Sequence, residues 1–160
     1  MSSQDFTSKS LEYLRSRGVS FVLKPHRRPA LTCELAAEER GVRLSQIVKC
    51  MIGETGEAGE SELVALLLPG DRKLKSSKAR KSLGVRSLRL VSPELLKSEH
   101  GLIVGAISPV DLIGRAKVVM DPGVLEEEFV DISSGDPLAG IELSSKELKD
   151  VLDAEIAEIT

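Results

Sequence analysis

Apolar residues recur at near-helical spacing at Phe6, Leu11 and Leu14 and stop at Gly18. This spacing predicts a first helix from about Thr7 to Arg17 with Asp5 as its N-cap. Val19–Leu23 reads as a short strand stopped by Pro25. Thr32 then suits the N-cap of a helix over Glu34–Arg40, with Gly41 at its end. A turn at Leu44-Ser45-Gln46 leads into a strand over Ile47–Ile52. Successive strand side chains point to opposite faces, so Ile47, Lys49 and Met51 share one face and Val48, Cys50 and Ile52 the other. Both faces read as buried, which makes Lys49 a cation inside an apolar pattern. Its stem either carries the charge out at a sheet edge or reaches a pocket where an anionic or carbonyl group meets it. The acidic run Glu54–Glu62 predicts a hairpin loop, and Leu63–Leu68 predicts the returning buried strand, ended by Pro69-Gly70.

Ser76 or Ser77 can cap a helix to Leu83, stopped by Gly84, and Val85–Val91 alternates as a strand. Ser92-Pro93-Glu94 opens a further helix that ends before Gly101. Gly101–Gly114 then begins as an apolar strand, Leu102-Ile103-Val104, and breaks into Gly105-Ala106-Ile107-Ser108-Pro109. Gly105 lacks a Cβ, so a ligand or another backbone can approach it closely. Pro109 holds Ser108 extended or in a turn. The segment suits either a turn between core strands or a rigid loop that presents backbone N–H groups to a substrate. Arg115–Met120, Phe129–Ile132 and Ile141–Leu143 read as strands, with a dense polar turn at 133–137. Ser144 and Glu147 form a capping box for a last helix to about Ala157. Without repeats or a clear linker, the chain is expected to be one domain over residues 1–160.

Composition narrows the chemistry. Three Phe, one Tyr and no Trp leave the core to Val, Leu, Ile and Ala, and leave few rings for stacking bases. No apolar run approaches the ~18 residues of a membrane span. The polar N-terminus is not a signal peptide, and Cys33 and Cys50 read as reduced thiols, so a cytoplasmic protein is expected. The net charge of −3 conceals a division. Arg72–Arg89 holds eight bases and no acid, whereas Asp121–Thr160 holds twelve acids and two bases. The basic segment suits either a solvated helix face or a polyanion.

The chain has two histidines, His26 and His100, neither in a metal-ligand or triad context, and no nucleophile elbow, Walker loop or dinucleotide fingerprint. No metal or cofactor is expected. His26-Arg27-Arg28-Pro29 is a basic connector, either a solvent loop or a phosphate contact. An enzyme built from these parts would act by positioning and electrostatics: backbone N–H donors, a lysine and a bound water. That suits hydrolysis of an activated ester.

Several signals fall in order: Thr32-Cys33-Glu34 opening a helix, Ile47-Val48-Lys49 on a strand, Gly101 followed by Gly105-Ala106-Ile107-Ser108-Pro109, Asp121 after a strand, and Ser133-Ser134-Gly135 before Ile141-Glu142-Leu143 and a capped helix. From about Thr7 to Leu152 the chain resembles the YbaK/prolyl-tRNA-synthetase-associated editing-domain family. The resemblance implies an α+β fold, with a mixed, largely antiparallel sheet curled into a barrel-like core surrounded by helices. It implies trans-acting hydrolysis of mischarged aminoacyl-tRNA, releasing a small wrong amino acid of Ala or Cys type, with tRNA-Pro as the tRNA and prolyl-tRNA synthetase as a second candidate partner.

By the same resemblance, Lys49 would contact the acceptor-end phosphate or the aminoacyl group. Gly105 and its neighbours Gly101, Ala106, Ile107, Ser108 and Pro109 would surround the ester, with Gly105 supplying backbone donors. Ser134 and Gly135 would line the opposite wall, and Thr32 would shape the amino-acid pocket. Asp121 matches a common acidic position. Arg72, Lys73, Lys75 and Lys78 become candidate tRNA-backbone contacts. The chain departs from the family pattern at Asp111, where Gly is common, and at Asp136-Pro137. Those added carboxylates motivate a second reading, a non-catalytic tRNA- or nucleotide-binding module of the same fold. A third is an interaction domain that docks a protein through its acidic C-terminal helix.

Overall fold

A computed structural model describes residues 8–56 and 61–160 of the chain. Its organising strand is the most apolar stretch of the sequence. The strands β1 (Phe21–Pro25), β2 (Val48–Thr55) and β3 (Glu62–Pro69) come first in the chain. β3 then lies at the centre of a five-stranded sheet because Val64 to Leu68 have almost no exposed surface and need cover on both faces. β2 runs antiparallel on one side, with Cys50 opposite Leu67 and Ile52 opposite Ala65. β4 (Leu88–Leu90) pairs outside β2. On the other side of β3, β5 (Lys117–Met120) and then β8 (Glu155–Ile156) run parallel. Val48, Cys50 and Ile52 pack with Ala65, Leu67 and Met120 into the main core, while Met51 joins Val64, Leu66 and Val119 on the other face. The alternation expected of β2 is therefore present. Each fully buried Leu of β3 contributes roughly 1.5–3 kcal/mol relative to an exposed one.

β6 (Phe129–Ser133) and β7 (Ala139–Ser144) form a second, antiparallel sheet in the order β1-β7-β6. Leu23, Ile141 and Ile132 face the main core across aligned register, as do Phe21, Leu143 and Val130. The opposite face carries Lys24, Glu142, Asp131, Gly140 and Ser133. Among the described residues the sheets meet at one isolated parallel bridge, Ile47 to Asp131. The fold is mixed α+β and mostly antiparallel, as expected. Among the described residues the barrel-like sheet is not closed: β4 and β8 end the larger sheet without pairing to each other.

Helices α1 (Lys9–Ser16), α2 (Cys33–Arg40), α3 (Ser76–Leu83), α4 (Pro93–His100) and α5 (Ser145–Leu152) surround these sheets. Among the described residues, none is long and apolar enough to cross a membrane. Ser8 caps α1 by accepting the Leu11 N–H; the expected cap, Asp5, lies outside the described residues. Four further expectations are corrected. Neither Ser76 nor Ser77 caps α3; Lys75 holds that position, and its N–H goes to the Ile159 carbonyl. The strand expected over 85–91 is cut to three residues, because only Gly53–Thr55 of β2 offers it partners. α5 stops at Leu152, where Asp153 takes a left-handed conformation (φ 49°). The tail then pairs with β5 and buries Ile159. Leu102–Val104 is not a strand: only Leu102 is buried, and Ile103 turns back through the Ala106 N–H.

Candidate active site

A cavity of about 290 Å³ opens between the start of α2, the first half of β2 and the loop after α4. Thr32 stands at its edge as the α2 N-cap, with Oγ1 accepting the Leu35 N–H at 3.1 Å. Its methyl and backbone shape the wall while its hydroxyl is committed. Lys49 is half-buried, borders the cavity, and donates from Nζ to the Arg72 carbonyl at 3.3 Å. The side chain borders the cavity, while the carbonyl that meets its ammonium, that of Arg72, is not part of the cavity wall. A neutral acceptor leaves the charge uncompensated and two N–H donors free for a ligand.

Gly105 forms the facing wall. It sits at φ 90°, and a Cβ built there would lie 2.2 Å from the Leu31 carbonyl oxygen. A side chain is thus excluded twice, by backbone conformation and by the other chain segment. This close approach aligns main chain 104–107 along the cavity. The Ala106 N–H is used internally, on the Ile103 carbonyl, whereas the Gly105 and Ile107 N–H groups have no acceptor among the described residues. Two unspent amides beside an ammonium can stabilise an oxyanion.

The remaining candidates are distributed unevenly. Ala106, Ser108 and Pro109 are buried behind the wall. Ser108 Oγ lies 2.6 Å from Ser10 Oγ, which lies 2.9 Å from Asp111 Oδ1. Ser10 has one hydroxyl proton; the carboxylate takes it, so Ser108 donates to Ser10. Gly101 is the left-handed C-cap of α4, outside the wall. Ser134 is buried and turns its hydroxyl to the Ala139 carbonyl at 2.7 Å, and Gly135 occupies the exposed turn beside Asp111. Their neighbour Ser133 borders the cavity instead. Asp111 and Asp136 lie outside the wall, and Asp136 closes its own turn on the Leu138 N–H. Asp121 is structural: its oxygens take the Gly123 and Ile159 N–H groups and the Thr160 hydroxyl.

Arg40 went unnoticed in the sequence, although it lies four residues after the buried Ala36 and hence on the same helix face. Its Nε–H donates to His26 Nε2 at 3.0 Å. Arginine can only donate, so His26 carries its proton on Nδ1, which donates to the Pro137 carbonyl at 3.0 Å. Burial, helped by the Arg40 charge, holds the imidazole below its usual pKa, in keeping with this neutral form. The basic connector is therefore divided: His26 faces inward, while Arg28 pairs with Glu38 and Glu39. Behind Arg40, Asp131 is fully buried and its oxygens accept no hydrogen bond. Lys24 lies 3.6 Å away and bridges it to Glu142. Burial raises the Asp131 pKa to about 7, against the attraction of Lys24 and Arg40. Burial also raises the Cys33 thiol and pushes Cys50 up to about 12, so neither is a thiolate at neutral pH.

In the basic segment, Arg72 pairs with Asp121 at 3.6 Å and Glu126 at 2.6 Å, and Lys78 donates to the Thr160 carbonyl. Lys73 and Lys75 are exposed, with no acidic partner among the described residues. No cluster of three or more His, Cys, Asp or Glu side chains able to hold a metal occurs among the described residues.

Comparison with known proteins identifies the family. The chain is 34% identical over 93 residues to a proline--tRNA ligase of Thermosipho melanesiensis; the match takes in 58% of the chain and 16% of the ligase. It is 30% identical over 101 residues to the multifunctional Ser/Thr-tRNA deacylase ProXp-y of Escherichia coli, covering 63% of the chain and 60% of that protein. In structure it matches the hypothetical protein APE2540 (TM-score 0.86, 28% identity, 95% and 99% of the two chains). It also matches a candidate trans-editing enzyme for prolyl tRNA synthetase (TM-score 0.77, 25% identity, 97% and 99%). The model of the aminoacyl-tRNA editing domain matches residues 27–151, the span that builds the cavity, and the chain belongs to that family.

Proposed function

We propose that this protein is a trans-acting aminoacyl-tRNA deacylase whose ester-cleaving site is the cavity between Lys49 and Gly105. The observation that carries the reading is the pairing of an uncompensated ammonium with two unspent backbone N–H groups across one small cavity. Water adds to the ester carbonyl, whose oxygen becomes an oxyanion held by the Gly105 and Ile107 N–H groups. The carbon–oxygen bond to the ribose then breaks, and the ribose oxygen leaves with a proton from the attacking water. Lys49 stabilises the developing charge or anchors the acceptor-end phosphate. An ester already activated by its ribose needs no nucleophilic side chain for this step.

The cavity, about 290 Å³, has room for an aminoacyl group, and the reading of a small one of alanine or cysteine type rests on the family resemblance and on discrimination by the second sieve of editing. Its ligase relatives make tRNA-Pro the first tRNA to test and prolyl-tRNA synthetase a candidate partner. Asp111 and Asp136, which motivated a non-catalytic module, do not border the cavity, so no observation favours that alternative.

The test is deacylation of alanyl-, cysteinyl-, seryl- and prolyl-tRNA by the purified full chain. Lys49→Ala is expected to lower kcat/KM on the hydrolysed substrate by about 10²–10³, the scale of losing one oxyanion-stabilising group. Circular dichroism should show its fold unchanged. Unchanged turnover removes Lys49 from the mechanism; tRNA binding without hydrolysis of any substrate overturns the deacylase reading.

A further inference from the structure

Two cations border the cavity, and the mechanism uses only Lys49. Arg40 is seated there by three independent features. It leaves α2 on the face of Ala36, and it is tethered through Nε to His26. It also lies against the main chain of β7 at Gly140, where a Cβ would stand 2.1 Å from Nε and 2.3 Å from Cζ. Any larger residue at 140 would displace the guanidinium. Its charge is largely desolvated, and the nearby Asp131 attracts it without reaching ion-pair distance. The two terminal nitrogens carry four N–H donors with no protein acceptor among the described residues, and the cavity is the space that Arg40 borders. The rest of the wall is mainly apolar, from Leu31, Ala36, Ile47, Val104 and Ile107, and carries one carboxylate, Glu34, which forms no ion pair with Arg40 or Lys49 among the described residues.

We propose that Arg40 selects the aminoacyl side chain, favouring one that ends in a hydrogen-bond-accepting oxygen, a hydroxyl or a carboxylate, over an aliphatic one of the same size. The proposal rests on the reading that the cavity receives the aminoacyl group. An aliphatic side chain placed against these donors strips their water and returns nothing, whereas an oxygen replaces it. Sites built on hydrogen bonding reject an analogue that lacks the bonding atom far more strongly than apolar sites reject one methylene. Ser133 stands on the same wall and offers a second polar contact.

The experiment uses amide-linked 3′-aminoacyl-adenosine analogues, which cannot be hydrolysed, carrying serine or its aliphatic isostere 2-aminobutyrate. Binding to the full chain is measured by calorimetry. The seryl analogue is expected to bind at least about tenfold tighter, as one hydrogen bond to a charged donor requires. Arg40→Leu is expected to bring the ratio to about one, and Arg40→Lys, which keeps the charge and loses the fork, to leave a reduced preference. Should Arg40→Leu fail to fold, Arg40→Lys alone carries the test: an undiminished preference there overturns the proposal. Equal affinity of the two analogues for the wild-type chain overturns it as well, as does a preference retained in Arg40→Leu. Absence of binding by both analogues overturns the reading of the cavity itself; binding without preference overturns the role of Arg40 alone.

Discussion

Asp131 is a carboxylate enclosed on every side, and its protonation is written into the stability of the fold. Facing it are Lys24, Arg40 and Glu142, and burial dominates, raising its pKa from 3.8 to about 7. A folded state that holds this proton more tightly than the unfolded chain is favoured at low pH. Between about pH 4 and 7 the folded state binds the extra proton, so this contribution falls as pH rises and is lost above the folded pKa. Asp131→Asn should flatten that slope, read as the difference in urea midpoints between mutant and wild type from pH 4.5 to 8; parallel curves would show that Asp131 does not titrate in this window. Gly105 is the other residue whose chemistry is decided by its surroundings. Gly105→Ala must adopt φ 90° and move the Leu31 carbonyl, a strain on the order of 1–3 kcal/mol. Its thermal midpoint and its deacylation rate should fall together. A variant with normal stability and rate would show that the close approach is not needed.

At the scale of elements, the loop after α4 is anchored by α1. The relay from Ser108 through Ser10 to Asp111 ties the loop to a helix distant in sequence, and Ser10 and Ser108 are both buried. Ser108→Ala should cost about 1 kcal/mol in urea unfolding, the net worth of a buried hydrogen bond, and lower kcat more than it raises KM. A loss confined to KM would make the loop a binding element and not a positioning one. The sequence marked this segment for its Gly105 and Pro109 but read its first residues as a strand. Leu102-Ile103-Val104 has strand composition, yet it pairs with no strand among the described residues, and a strand exists only through its partners. The same reason shortened β4. The helix starts at Thr32, Ser92 and Ser144 were legible because a cap is local chemistry; those at Ser76 and Ser77 failed because the tail at Ile159 claims the Lys75 amide.

For the whole molecule, the division of charge matters more than its sum. The basic segment is one run in sequence, but the fold spends part of it internally: Arg72 on Asp121 and Glu126, Lys78 on the Thr160 carbonyl. Lys73, Lys75, Arg80, Lys81 and Arg86 are exposed with no acidic partner among the described residues, and Lys73 and Lys75 are the proposed contacts to a phosphate backbone. The double variant Lys73→Ala/Lys75→Ala should weaken tRNA binding at low salt and reduce the slope of log K against log salt by about 1.4–1.8 if each lysine meets one phosphate. An unchanged slope would place the RNA elsewhere on the surface. The features that local chemistry governs were determined by the sequence alone. These are the buried strand at 63–68, the alternation that sets Lys49 apart from Cys50, and the helix caps at Thr32, Ser92 and Ser144. Tertiary structure alone decided which of the candidates share a cavity. It brought Lys49, Gly105 and Ile107 together with Arg40 and Ser133, and it set Gly101, Ser134 and Gly135 outside the wall. It also left two sheets open, among the described residues, where a barrel-like core was expected. Caps and alternation act within a few residues, but a cavity wall, a buried charge and a sheet edge are made by segments far apart in the chain.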